Sequence, residues 1–128
     1  MKRVLIAGLA VVLAIAAVPL PAARKAADPL ERLARLYEDG RYFELRDAVA
    51  AIKDPSLPEL EFFRGAVDEL FNRLDPAVSR LRNYLRSTEK SPAHMLIKEA
   101  WTLLGDTFRR LGRYREAAGA FQNILDHF

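Results

Sequence analysis

From Pro29 onward the apolar residues return every three or four positions, and no stretch alternates with period two. That spacing gathers them on one side of a helix, so it predicts helices along the whole body of the chain and no sheet. Leu30, Leu33, Leu36 and Tyr37 form a first stripe, interrupted by Gly40; Tyr42, Leu45, Val49 and Ile52 form a second. Asp54-Pro55-Ser56-Leu57-Pro58 reads as a stop followed by a restart. A third stripe runs through Leu60, Phe63, Val67, Leu70 and Phe71, and a fourth follows Asp75-Pro76 through Val78, Leu81 and Leu85. Ser91 offers an N-cap with Pro92 at the first helical position, where a fixed φ and a missing donor cost nothing. Two last helices are expected over residues 92–111 and 113–128. The reading is all-α: six helices in three hairpins over residues 29–128.

The first 23 residues follow a different pattern. Lys2 and Arg3 precede an unbroken apolar run that reaches Pro19 and Pro21. A basic start followed by an apolar stretch and a helix-breaking end is the layout of a secretory signal. The alternative is an uncleaved membrane anchor. The 15 residues from Val4 to Val18 span about 22 Å as a helix, short of the roughly 30 Å hydrocarbon core. A cleaved signal over 1–23, with a cut after Ala22 or Ala23 and a short linker over 24–28, is therefore the expectation. It places the protein outside the cytoplasm, periplasmic or secreted, with membrane attachment only if the signal stays uncleaved. The absence of cysteine suits a domain that needs no oxidation to fold.

The hairpins repeat one another. Gly40-Arg41-Tyr42-Phe43-Glu44-Leu45, Asn72-Arg73-Leu74-Asp75-Pro76-Ala77 and Gly112-Arg113-Tyr114-Arg115-Glu116-Ala117 read as one motif written three times, with starts 32 and 40 residues apart. Glycine, or asparagine in the second copy, can take the left-handed conformation that ends a helix. The aromatic or leucine two places later is expected to fill the crotch of the hairpin, and the alanine to let the second helix approach closely.

The third copy carries Trp101, Leu104, Gly105, Phe108, Gly112, Tyr114, Ala117 and Phe121 at spacings that resemble the tetratricopeptide repeat, TPR. The second copy keeps Gly65, Ala77 and Leu81 but has Asn72 and Leu74 where the family has glycine and an aromatic. The first keeps Gly40 and Tyr42, with Leu45 in place of the alanine and Leu33 in place of the first glycine. The resemblance implies an α-solenoid of three helix pairs with a concave groove, acting as a scaffold for protein–protein interaction. It makes the residues just named packing positions. By alignment with the family, the groove presents Leu30, Ala34 and Tyr37, then Phe62, Ala66 and Glu69, then Thr102, Asp106, Arg109 and Arg110. The asparagine and lysine set with which some TPR proteins clamp a terminal carboxylate is not matched, because Ala34, Ala66 and Asp106 stand where asparagine is needed. An extended or helical peptide in a groove of mixed character fits better.

Composition removes other functions. The net charge of +3 falls to 18 basic against 17 acidic residues once 1–23 are set aside, and no basic cluster is long enough to track a phosphate backbone. Nucleic acid is not an expected partner. Cysteine-ligated metal is excluded, and His94 and His127 are the two histidines in the chain. The four serines and three threonines sit in no nucleophile elbow, the carboxylates are spaced like solvated helix faces, and no glycine-rich phosphate loop occurs. No catalytic residue and no cofactor are expected in this segment.

The third repeat runs to Phe128 without a polar capping helix, which solenoids need for solubility. Self-association through the last hairpin, or a domain incomplete at its C-terminus, is the expected consequence. The second case is similar in layout to exported proteins in which helix pairs precede a retropepsin-like aspartic peptidase. Their Asp-Thr-Gly or Asp-Ser-Gly motif is missing, since Asp106-Thr107 is followed by Phe108. Fifteen arginines against five lysines point to a GC-rich bacterial genome.

Overall fold

Helix boundaries follow from the breakers. In the computed structural model, which describes residues 28–54, 57–89 and 96–128, six helices occur and no strand. They are α1 (Pro29–Glu38), α2 (Tyr42–Ala51), α3 (Pro58–Leu70), α4 (Leu74–Ser87), α5 (Ile97–Arg110) and α6 (Tyr114–His127). Pro58 opens α3, and Pro76 stands in the first turn of α4, where a backbone N–H has no helical partner to lose. The expected cap at Ser91-Pro92, the signal over 1–23 and most of the linker lie outside the described residues. Contacts divide the chain into two units, residues 1–32 and Leu33–Phe128. In the first, the Asp28 carboxylate accepts the Leu30 N–H at 3.0 Å, and its carbonyl accepts the Glu31 N–H at 3.0 Å.

In the second unit the three hairpin turns are built alike. Gly40, Asn72 and Gly112 have φ of 72°, 63° and 78°. Asparagine is among the few non-glycine residues that visit this left-handed region. Each turn closes with the same two bonds. The N–H of Gly40, Asn72 and Gly112 reaches the carbonyl three residues back at 3.2, 3.1 and 3.0 Å, and that of the following arginine reaches the carbonyl five back at 3.0, 2.7 and 2.8 Å. The carbonyls of Arg41, Arg73 and Arg113 then accept the first bond of the next helix, from Leu45, Ala77 and Ala117. One residue thus joins two helices.

The arginine side chains also anchor the turns. Arg41 and Arg113 hold Glu44 and Glu116 three residues on, each at 2.7 Å or less. Arg73 finds Pro76 at that position and turns back to Asp68 at 2.9 Å. In the third hairpin the residue equivalent to Asp68 is Phe108, and Arg113 lies 4.9 Å over its ring.

Two other glycines serve space rather than φ. A Cβ on Gly65 would stand 2.8 Å from Cγ of Leu81, and one on Gly105 would stand 2.7 Å from the Phe121 ring. Both pairs are 16 residues apart, first helix against second. Leu33 and Val49, both buried, stand at the same separation in the first hairpin.

Sequential helices pack from α2 to α6, and α3 also touches α5. The core holds Leu33, Leu45, Leu60, Phe62, Phe63, Leu81 and Tyr84, with Phe62 edge-on to Tyr37, Phe63 and Tyr84 at 6.0, 5.1 and 5.7 Å. Of the expected packing positions, Gly65, Ala77, Leu104, Gly105, Phe108 and Ala117 are buried. Trp101 is half-buried and Phe121 is 38% exposed. Tyr114 does not fill its hairpin crotch: it is 69% exposed, because no described element lies against the start of α6 on that side. Tyr42, its counterpart, lies 6.5 Å from the Tyr37 ring.

Candidate functional site

The side-by-side placement of α3 and α5 creates a cleft on the face expected to be the groove. Ala34, Tyr37 and Glu38 of α1, Tyr42 at the start of α2, Phe63 of α3, and Leu96 with Glu99 at the start of α5 enclose about 410 Å³. Tyr37 is central. Its hydroxyl donates to Oε1 of Glu99 at 3.4 Å, and its ring stands edge-on to Phe62 and Phe63. Burial, then the neighbouring Glu99 carboxylate, push the phenol well above its usual range, so it stays protonated and can act as a donor.

The other expected groove residues are placed differently. Phe62 and Ala66 are fully buried, so their side chains are core and present nothing to a partner; Phe62 points between Tyr37 of α1 and Tyr84 of α4 rather than outward. Glu69 is 8% exposed. Arg110 is committed to it: one guanidinium nitrogen donates to the Glu69 carboxylate at 2.7 Å and to the Glu69 carbonyl at 3.2 Å, and the other to Oδ1 of Asn72 at 2.8 Å. Arg110 therefore staples α5 to the turn between α3 and α4. Burial still raises the Glu69 pKa, outweighing Arg110 and helped by Asp106. Thr102 and Arg109 are exposed and Asp106 is half-exposed; Arg109 pairs with Asp106 one turn back, and the Thr102 hydroxyl donates to the Lys98 carbonyl at 2.9 Å. Leu30 belongs to the first unit.

Sequence reasoning missed Glu38, Phe63, Leu96 and Glu99. Glu99 was within reach, since it stands three residues before Thr102 and continues the Thr102–Asp106–Arg109 stripe by one turn.

A second cleft, of about 430 Å³, opens among α4, α5 and α6, lined by Arg82, Leu85, Arg86, Trp101, Leu104 and Phe108, with Glu116, Gly119 and Asn123 opposite. Arg82 lies 5.1 Å over the Phe108 ring and reaches Glu116 at 3.3 Å. Glu116 is held below its usual pKa by hydrogen bonding to Arg113, with Arg82 adding to the effect. Trp101, expected to be a pure packing residue, thus also faces an opening. Among the described residues no three His, Cys, Asp or Glu side chains stand close enough to hold a metal ion, and no helix is long and apolar enough to cross a membrane. No family model, curated protein or solved structure matches this chain, so the functional reading rests on the geometry of these two clefts.

Proposed function

We propose that the protein is a helical scaffold that docks an extended peptide segment of another protein along the face shared by α1, α3 and α5. The cleft at Tyr37 carries this reading. It is concave, part apolar and part polar, and lined from four helices, which is the character of peptide grooves between helices. The three like-built turns and the α3–α5 contact support a TPR-like stacking of hairpins, and the apolar run at 4–23 supports an exported location. No catalytic role is proposed for this segment.

Peptides selected from a displayed library on the immobilised protein should lose about tenfold or more in affinity on Tyr37→Ala, the loss expected of an aromatic anchor. Leu85→Ser, in the second cleft, should leave binding intact. The reverse pattern would move the docking surface to the cleft among α4, α5 and α6.

A second reading, self-association, is favoured by the outer face of α6. Tyr114, Phe121, Leu125 and Phe128 lie on one stripe at steps of seven, four and three, and Leu125 is 76% exposed. In α4 the equivalent of Leu125 is Leu85, half-buried beside Trp101 and Leu104. Sedimentation of the purified protein should show a mass that rises with concentration, and Leu125→Glu should abolish the rise. A constant monomer mass for the unaltered protein would end this reading.

A further inference from the structure

The cleft at Tyr37 combines two features that peptide docking alone does not call for. Its aromatic lining is dense: the Tyr37 ring stands 6.5 Å from that of Tyr42 and 6.4 Å from that of Phe63. Its two acidic groups, Glu38 and Glu99, meet no arginine or lysine among the described residues; the Tyr37 hydroxyl at 3.4 Å is the partner Glu99 has there. Three carboxylates of α3 are matched. Glu61 pairs with Arg64 and Arg80, Asp68 with Arg73 and Arg80, and Glu69 with Arg110. None of the 13 arginines among the described residues lines this cleft.

We infer that the cleft receives one cationic side chain, an arginine or lysine, of the docked peptide; the inference rests on the groove reading above and specifies its chemistry. Ring faces attract a cation through their quadrupole, and a carboxylate beside them completes its coordination. The apolar stem of the side chain lies along Ala34, Leu96 and the edge of Phe63, and the head reaches Glu99 and Glu38. The protonated Tyr37 hydroxyl holds the Glu99 carboxylate in place from the wall of the cleft. A terminal carboxylate would be repelled by the same two groups, so the selectivity is opposite in sign to that of a carboxylate clamp.

The test is an NMR titration of the isotope-labelled protein with N-acetyl-arginine N-methylamide and with its neutral isostere, the citrulline compound. The arginine probe should shift the amide signals of Tyr37, Glu38, Tyr42 and Glu99 and bind at least about fivefold more tightly than citrulline, a ratio in the range of one partly exposed cation–aromatic contact. Glu99→Gln keeps an acceptor for the Tyr37 hydroxyl and should collapse that ratio towards one, with helicity unchanged. Equal binding of both probes at these residues would overturn the cation assignment and leave the groove reading standing. Shifts from neither probe at these residues would overturn the cation assignment and remove the cleft from the groove.

Discussion

Phe62→Ala is expected to lower the unfolding free energy by about 3–5 kcal/mol, the cost of emptying a fully buried aromatic site that cannot collapse. Phe62 touches the rings of Tyr37, Phe63 and Tyr84, contributed by α1, α3 and α4, so the void would open where the hairpins meet. Domains of this size have only about 5–15 kcal/mol of stability, and the denaturation midpoint in urea should fall by about a fifth or more. Because Phe62 supports Tyr37 edge-on, peptide affinity should fall with it even under conditions where the variant is folded. Thr102→Ala, on the exposed face of α5, is the control and should change stability by less than about 0.5 kcal/mol. A comparably small change at Phe62 would return it to the groove, the position that the tetratricopeptide resemblance implies.

The second large effect is expected at Arg110. Replacing it with methionine keeps the apolar stem but leaves the Glu69 carboxylate, whose side chain is 10% exposed, without its cation. Removing one partner of a fully buried pair costs about 3–5 kcal/mol, and Arg110 is itself 30% exposed, so about 2 kcal/mol is expected near neutral pH. The deficit should depend on pH. Burial raises the Glu69 pKa in the folded protein, so folding favours its protonated form. That advantage is present below the ordinary carboxylate range and is lost as pH rises through the raised folded value. Without Arg110 the raising forces act unopposed, and the shortfall of Arg110→Met should shrink as pH falls from about 8 to about 5. Urea denaturation at several pH values measures it. A deficit that stayed constant over this range would place the role of Arg110 in packing alone. Reversing Arg109, which pairs on the surface with Asp106, should matter far less to stability.

Much of this architecture was legible along the chain. The three- and four-residue recurrence predicted six helices, and glycine or asparagine at 40, 72 and 112 predicted three left-handed turns, because these are local matters of backbone sterics and side-chain period. Gly65 and Gly105 were legible as points of close approach, since a missing Cβ has few other uses within a helix. The assignment of groove against core was not. Phe62 and Ala66 stand at positions that the tetratricopeptide resemblance assigns to the groove, yet both are buried, Phe62 against Tyr37 of α1 and Tyr84 of α4; Phe63, a stripe position, reaches the cleft. A helix-wide periodicity resolves a face to within about 100°, and neighbouring helices decide which edge of that face meets solvent. Arg110 illustrates the same limit in polar terms, because its partners Glu69 and Asn72 are 41 and 38 residues away in the chain. The sequence by itself determined the helices, their turns and the small residues that let them touch, all of which depend on a few neighbouring positions. Which carboxylates are neutralised, which aromatics are buried, and that Tyr37, Tyr42, Phe63 and Glu99 share one cleft were decided by the tertiary structure alone, because packing brings together groups that no local rule relates.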